Sequence, residues 1–174
     1  MPKSWFKCDV GDAEDVEKAF SDIATKFPNR NISILINNAA HNKLLPLIDH
    51  EKIVGPSCLK PETLKEASDI YRSLMDTNIL GPTLVTRAAM KFFDHAKVYF
   101  RNWQLASGKQ RIKNFVKNFV KCGNIINMNS LCGYQVLPTV EYHFYTMTKH
   151  ALSAFTEAIR LELRFVIFLL HGFQ

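Results

Sequence analysis

The chain has 174 residues, 47% of them hydrophobic, which is enough apolar material for one globular domain with a core. Its formal net charge is +6, but the excess is local, because seven basic residues occupy 97–121 and no acidic residue lies there. Of the 22 basic residues in the chain, 15 lie outside this segment, fewer than the 16 acidic residues. The rest of the domain therefore gives no indication of nucleic-acid binding.

The sequence also argues against a membrane-spanning, secreted or metal-binding protein. The apolar run at 165–170 is far too short to cross a bilayer, and residues 1–7 lack the apolar core of a signal peptide. The cysteines form neither a Cys-x-x-Cys pair nor a metal-like cluster, and they are Cys8, Cys58, Cys122 and Cys132. We therefore expect free thiols in a reducing compartment, a cytoplasmic location and no metal site.

The first predicted elements are a helix over 12–27 and a strand over 32–36. Asp12 can cap the helix, whose apolar stripe consists of Val16, Phe20, Ile23 and Phe27. The strand is a short run of mostly β-branched residues, which is typical of a buried strand in a parallel sheet. Residues 41–60 are predicted to form a loop, because proline and glycine punctuate them.

A long helical stretch is predicted over 62–95, followed by a second buried strand over 124–128 and a helix over 143–164. The last helix carries an apolar stripe of Leu152, Phe155, Ile159 and Leu163. Strands separated by helices predict right-handed crossovers and a parallel sheet, so the predicted fold class is α/β and doubly wound. Ligands bind such sheets beyond the carboxyl ends of the strands, where both predicted strands are followed by polar residues.

Tyr145 and Lys149 lie four residues apart at the start of the last predicted helix. Side chains with this spacing share one face of a helix, so a phenol and an ammonium can point into the same cleft. A cation beside a phenol favours the phenolate, which suits a tyrosine for general acid–base catalysis. The pair alone is a weak signal, because unrelated surface residues often show the same spacing.

Five short motifs in a fixed order support the catalytic interpretation. They are Cys-Asp-Val at 8–10, Asn-Asn-Ala-Ala at 37–40, Asn-Ile-Leu-Gly at 78–81, Asn-Ser-Leu-Cys-Gly at 129–133 and Tyr-Thr-Met-Thr-Lys at 145–149. With these motifs the chain resembles the short-chain dehydrogenase/reductase family over about 7–164. The stretch 136–164 most resembles the insect farnesol dehydrogenase-like branch, related to NADP-dependent 17-beta-hydroxysteroid reductases. The resemblance implies a partial Rossmann-like sheet.

The resemblance also implies a catalytic role for three residues. Tyr145 would pass a proton to or from the substrate oxygen, and Ser130 would polarise the substrate carbonyl by hydrogen bonding. Lys149 would assist the tyrosine and hold the nicotinamide ribose. The plainer interpretation of Ser130 is a turn serine at the end of a strand.

A cofactor site is implied in the same way. Its residues would be Asp9 and Val10 at the adenine ring, Asn37 and Ala39 along the cofactor edge, and Tyr145 and Lys149 at the nicotinamide end. The cofactor would be NADP(H), with NAD(H) not excluded, and the substrate a small apolar alcohol or carbonyl compound of isoprenoid or steroid-like type. The family also suggests self-association through 83–93 and the last helix. More plainly, Asp9 and Asn37 would be turn residues.

Asn78 has an argument of its own. Pro82 lacks an N–H, so in an α-helix the carbonyl four residues earlier, which is that of Asn78, would lose its partner. In the family the equivalent carbonyl binds a water in a proton relay to the lysine, so the resemblance makes Asn78 a candidate catalytic residue. A plain proline kink is the alternative.

The sequence departs from the family pattern in three places. No Gly-x-x-x-Gly-x-Gly turn is present for the cofactor's phosphates, a basic segment is inserted at about 94–121, and the tail 165–174 does not match. We therefore expect 1–174 to form a single partial dinucleotide-binding domain that lacks its first βαβ portion and its C-terminal portion.

Two alternatives to a working reductase follow from these departures. A chain without the phosphate-binding turn would be a catalytically inert fragment, either truncated or translated from wrongly assigned exons. Alternatively, the amphipathic basic helix predicted within 94–121 would bind an anionic membrane surface, a partner or nucleic acid. A solvated surface insertion is the simpler interpretation of that helix.

Overall fold

The computed structural model describes residues 4–43, 45–47, 63–93, 124–138 and 142–171, the last eight of these by their backbone only. The predicted basic segment lies outside the described residues. The main elements in chain order are α1 (Ala13–Lys26), β1 (Ile34–Asn37), α2 (Leu64–Met75), α3 (Gly81–Ala89), β2 (Asn124–Asn127) and α4 (His143–His171).

Helix α1 begins where the sequence predicts it. The Asp12 carboxylate accepts a hydrogen bond of 2.9 Å from the Asp15 backbone N–H, which satisfies one of the free donors at the start of the helix. Val16 and Ala19 are buried. The ring of Phe20 packs on the ring of Phe92, which follows α3, with 5.6 Å between the ring centroids. The predicted apolar stripe therefore attaches α1 to the end of the long helical stretch.

The two strands form a parallel pair, as predicted for an α/β fold. Their register runs from Ile34 opposite Asn124 to Asn37 opposite Asn127. Leu35 and Ile125 lie on the face that packs against the buried Ala89 and Phe93, with α1 and α3 on the same side.

The prediction that β1 is a buried strand is wrong for its other face, which carries Ile34 and Ile36. Ile34 is 41% exposed and Ile36 is 57% exposed, while every residue of β2 is only half-buried. An apolar run indicates burial on both faces only when helices cover both faces of the sheet. In the described part of the chain, α1 and α3 lie on the face that carries Leu35.

The predicted helix over 62–95 is a chain of helical segments and not one regular helix. Thr63 caps α2, a π turn occupies Asp76–Leu80, α3 follows, and a 3₁₀ turn ends the stretch at Met90–Phe92. In the π turn the Gly81 N–H donates to the carbonyl of Asp76, five residues earlier. This bond changes the register at Asp76, and the loss of a partner by the Asn78 carbonyl through Pro82 stays a prediction.

Helix α4 starts at His143, as predicted, but continues to His171 and so passes the predicted end at residue 164. Leu152 from its predicted apolar stripe is buried. The buried face also carries polar side chains near the start of the helix, namely Thr146, Thr148 and Lys149. In the portion of the chain that the structure describes, the helices are too short or too polar to span a bilayer.

Replacing Leu74 with alanine should lower the free energy of unfolding by about 2–5 kcal/mol, because Leu74 is fully buried and the change leaves a cavity. Ile36→Thr should change it by less than about 0.5 kcal/mol, because Ile36 is largely exposed. Urea unfolding followed by circular dichroism measures both values. If both substitutions lowered the free energy of unfolding equally, Ile36 would be buried and the exposed face of β1 would be contradicted.

Candidate active site

The carboxyl ends of the two strands meet in a pair of hydrogen-bonded asparagines. The Asn37 side-chain amide donates to the Asn127 side-chain oxygen at 2.8 Å and to the Thr86 hydroxyl of α3 at 3.1 Å. Asn127 in turn donates to the Thr156 hydroxyl of α4 at 2.9 Å. One polar chain therefore joins both strand ends to the two helices beside them, and it fixes the edge at which the predicted site residues lie.

The turn after β2 holds Ser130 in place. Asn129 accepts a hydrogen bond from the Ser130 N–H at 2.9 Å and donates to the Ser153 hydroxyl of α4 at 2.7 Å. Ser153 donates onward to the Gly133 carbonyl at 2.9 Å. A Cβ atom at Gly133 would lie 2.4 Å from the Asn129 side-chain oxygen, so a larger residue at 133 would displace the amide that orients Ser130.

Ser130 caps the short 3₁₀ turn at Leu131–Gly133. Its Oγ accepts a hydrogen bond from the Cys132 N–H at 3.3 Å. A hydroxyl that accepts in this way keeps its own hydrogen for donation. The half-buried Ser130 can therefore donate to a carbonyl oxygen placed beside the turn.

Tyr145 and Lys149 come together as their spacing predicts. The Lys149 ammonium lies 5.7 Å from the centroid of the Tyr145 ring, within the range of a cation–π contact. The same ammonium donates a hydrogen bond of 3.0 Å to the carbonyl of Met128, the residue after β2. This bond brings the pair to the strand end where the Ser130 turn begins.

Burial affects the charge on Lys149. The side chain is only 3% exposed, and this burial lowers the pKa of the lysine below its usual value of 10.5. The nearby Cys132 acts in the opposite direction, because a thiolate there favours the ammonium.

Asn78 lies in the π turn, and both the oxygen and the nitrogen of its side-chain amide are hydrogen-bonded. It accepts from the His41 N–H at 2.7 Å and donates to the His41 carbonyl at 2.9 Å. Its second N–H donates to the Thr148 hydroxyl at 3.1 Å. Asn78 is only 1% exposed, so this amide ties the segment after β1 to helix α4 inside the protein.

Besides Tyr145 and Lys149, the four other predicted cofactor residues fall into two groups in the structure. Asn37 and Ala39 follow the end of β1, with Asn37 buried and Ala39 exposed. Val10 packs on the π turn, since a Cβ at Gly81 would lie 2.8 Å from its Cγ2. Asp9 is exposed and its carboxylate accepts from the Gly11 N–H at 2.9 Å. This is the turn geometry of the plainer interpretation, and in the described residues no contact joins Asp9 to Ser130, Tyr145 or Lys149.

Comparison with known proteins identifies the family. The family model for short chain dehydrogenases matches residues 3–98, which is more than half of the chain. The chain is a member of the short-chain dehydrogenase family. Members of this family are oxidoreductases that use a nicotinamide cofactor.

Individual relatives agree with the family and extend beyond the matched segment. The chain is 29% identical over 160 residues to dehydrogenase/reductase SDR family member 11 of Bos taurus, covering 91% of this chain and 47% of that protein. It is 26% identical over 158 residues to a farnesol dehydrogenase of Aedes aegypti, covering 91% and 48%. The chain thus spans about half the length of the relatives it matches.

A solved structure supports the fold. A short-chain dehydrogenase of Burkholderia cenocepacia in complex with NADP superposes with a TM-score of 0.58 at 20% identity. The superposition covers 91% of this chain and 46% of that one. The parallel strand pair and its helices in the present chain therefore form part of a Rossmann-like fold.

Sequence reasoning missed several residues that build the site. Thr148, Asn129 and Ser153 all lie within or beside the five motifs, and each holds a predicted site residue or its backbone. The available signal was a hydroxyl on the buried face of a helix, because such a group needs a hydrogen-bond partner in the core. The sequence shows Cys132 only as a free thiol, whereas the structure buries it in the 3₁₀ turn that Ser130 caps.

The lowered pKa of Lys149 predicts how stability depends on pH. Below the folded-state pKa both folded and unfolded chains carry the charge, so the full penalty for burying it applies. As the pH rises toward 10.5, the folded state loses the proton first and the penalty falls. The unfolding free energy of the wild type should therefore rise relative to that of Lys149→Met between neutral pH and 10.5.

Urea unfolding of both proteins at several pH values measures this difference. Lys91→Met serves as the control, because it removes one positive charge from an exposed position. The measured quantity is the unfolding free energy of the wild type minus that of Lys149→Met. If this difference stayed constant or fell with rising pH, Lys149 would not be a buried ammonium.

Proposed function

We propose that this short-chain dehydrogenase is an NADP(H)-dependent oxidoreductase for an apolar alcohol or ketone, with Tyr145 as the general acid or base. The observation that carries the proposal is the position of Lys149. Its ammonium contacts both the Tyr145 ring and the carbonyl at the end of β2, where the Ser130 turn begins. Those are the groups that a carbonyl reduction requires at one place.

The proposed roles follow from the hydrogen bonds each residue has left. Ser130 donates its free hydroxyl hydrogen to the substrate oxygen and polarises the carbonyl. Tyr145 gives a proton to that oxygen during reduction or takes one during oxidation. The Lys149 ammonium stabilises the phenolate that remains after reduction.

Asn78 has a supporting role in this proposal. Its side chain is occupied by His41 and Thr148, so a direct role in a proton relay would fall to its backbone carbonyl. The family resemblance remains the basis for that role.

The residues present fit the nicotinamide end of the cofactor. Lys149 has three N–H donors and uses one on Met128, which leaves two for the hydroxyl groups of a ribose. Ala39 presents only a methyl group beside the end of β1, along the proposed cofactor edge, whereas Val10 would contact the adenine ring at the other end. When bound, the nicotinamide would supply or accept the hydride.

An apolar substrate is supported by the surface beside Ser130. Leu131, Tyr134 and Val136 follow it in the chain and are 59%, 76% and 77% exposed, so apolar side chains flank the reactive edge. The relative named farnesol dehydrogenase, at 26% identity, suggests an isoprenoid substrate. We favour an isoprenoid or steroid-like alcohol or ketone for this chain.

Further proposals concern organisation and location. The chain would act as one partial dinucleotide-binding domain over 1–174, self-associating through α3 and α4. A reducing, cytoplasmic environment is supported by the free thiols of Cys8 and Cys132. Membrane or partner binding by residues 94–121 remains a prediction, because that segment lies outside the described residues.

Tyr145→Phe should reduce kcat for reduction of an apolar ketone by roughly 10²–10⁴-fold, because it removes the proton donor and keeps the ring. The measurement is NADPH oxidation at 340 nm with the purified 174-residue chain. Tyr142→Phe is the matched control, since its ring lies 6.1 Å from that of Tyr145 and the change also removes one phenol.

Two outcomes would contradict the proposal. Full activity of Tyr145→Phe would show that another group is the acid. A wild-type chain that neither binds NADPH nor turns over any apolar alcohol or ketone would support the inert alternative for this chain.

The NADP bound to the Burkholderia cenocepacia relative suggests the same cofactor here, so NADPH should bind the chain at least about tenfold more tightly than NADH, or about 1.4 kcal/mol in binding free energy. Titration of each cofactor by quenching of protein fluorescence measures both dissociation constants. Equal affinities would contradict the NADP(H) assignment and leave the family assignment intact.

A further inference from the structure

Thr148 lies between the catalytic pair in sequence and joins Asn78 to Tyr145 in space. Its hydroxyl accepts from the Asn78 amide at 3.1 Å and donates to the backbone carbonyl of Tyr145 at 2.8 Å. The side chain is fully buried. The Thr148 hydroxyl therefore accepts one hydrogen bond and donates another, both inside the protein.

The Asn78 end of this link is rigidly held. Asn78 clamps the N–H and the carbonyl of His41, which lies in the segment after β1. The π turn that carries Asn78 also packs against Val10, because Gly81 leaves no room for a Cβ between them. Thr148 thus receives its hydrogen bond from a fixed point.

Ser130 is held by a separate set of bonds. Asn129 and Ser153 orient its turn, and Ser153 lies on α4 beyond the first turn, where it also donates to the Lys149 carbonyl. The bond from Asn78 to Thr148 therefore fixes the first turn of α4, which carries Tyr145, and the bond from Thr148 to the Tyr145 carbonyl passes this constraint to Tyr145 within the helix.

We propose that Thr148 is a positioning residue that fixes the Tyr145 phenol opposite Ser130 by linking the Tyr145 carbonyl to Asn78. The consequence for catalysis rests on the proposed function, whereas the structural link stands without it. Valine at 148 has nearly the same shape but breaks both bonds, and it leaves one N–H of the buried Asn78 without an acceptor.

Fluorine NMR of the chain labelled with 3-fluorotyrosine tests this without cofactor. The chain has five tyrosines, and Tyr145→Phe identifies the signal of Tyr145. Thr148→Val should broaden or split that signal while the tyrosines other than its ring neighbour Tyr142 keep theirs, and Thr148→Ser, which keeps the hydroxyl, should restore a single narrow line. If Thr148→Val unfolds, with all five signals collapsing together, Thr148→Ala carries the same expectation.

Thr156→Val is the matched control. Thr156 also lies on α4, accepts from an asparagine amide at 2.9 Å and donates to a helix carbonyl at 2.7 Å. This variant should leave the Tyr145 signal unchanged. An unaltered Tyr145 signal in Thr148→Val, or the same change in Thr156→Val, would overturn the proposal, as would failure of serine to restore the line.

Kinetics provides a second readout. In a chain that reduces ketones, Thr148→Val should lower kcat roughly 10- to 100-fold with KM nearly unchanged, because the proton donor is misplaced while substrate contacts remain. An unchanged kcat would overturn the catalytic part of the proposal. If the wild type shows no turnover, the proposed function fails, and the fluorine spectra still decide whether Thr148 positions Tyr145.

Discussion

The buried amide of Asn78 is the constraint on which the site depends. An amide in the core must find partners for two donors and an oxygen, and losing any of them costs about 1–3 kcal/mol. Here the partners are His41 and Thr148, so one side chain holds the segment after β1, the π turn and the start of α4 at fixed distances. The proposed catalytic pair, Tyr145 and Lys149, begins about one turn of helix from that junction.

The same requirement explains why the site is lined with asparagine and threonine. The strand ends carry Asn37 and Asn127, which satisfy each other and continue into hydroxyls on α3 and α4. Amide–hydroxyl chains of this kind are directional, whereas apolar packing alone would let the helices slide over the strand ends. The bond to Thr156 holds the middle of α4 at the strand ends, whereas the first turn of α4, which carries Tyr145, is held by Asn78 and Thr148.

The elements that followed from sequence were those with a strong local signal. The cap at Asp12, the parallel strand pair and the meeting of Tyr145 with Lys149 were all predictable from spacing and residue type. The exposure of Ile36 was not, because an apolar run cannot show which helices cover its two faces. The π turn escaped prediction as well, since Gly81-Pro82 indicates a kink but not which carbonyl changes partner.

The π turn also bears on how the two ends of a dinucleotide site are kept in register. Its Gly81 end contacts Val10, in the segment assigned to the adenine ring, and its Asn78 side chain reaches the helix that carries Tyr145. A change at Gly81 would therefore reach the catalytic helix through Asn78 and Thr148, although Gly81 itself touches neither Tyr145 nor Lys149 in the described structure.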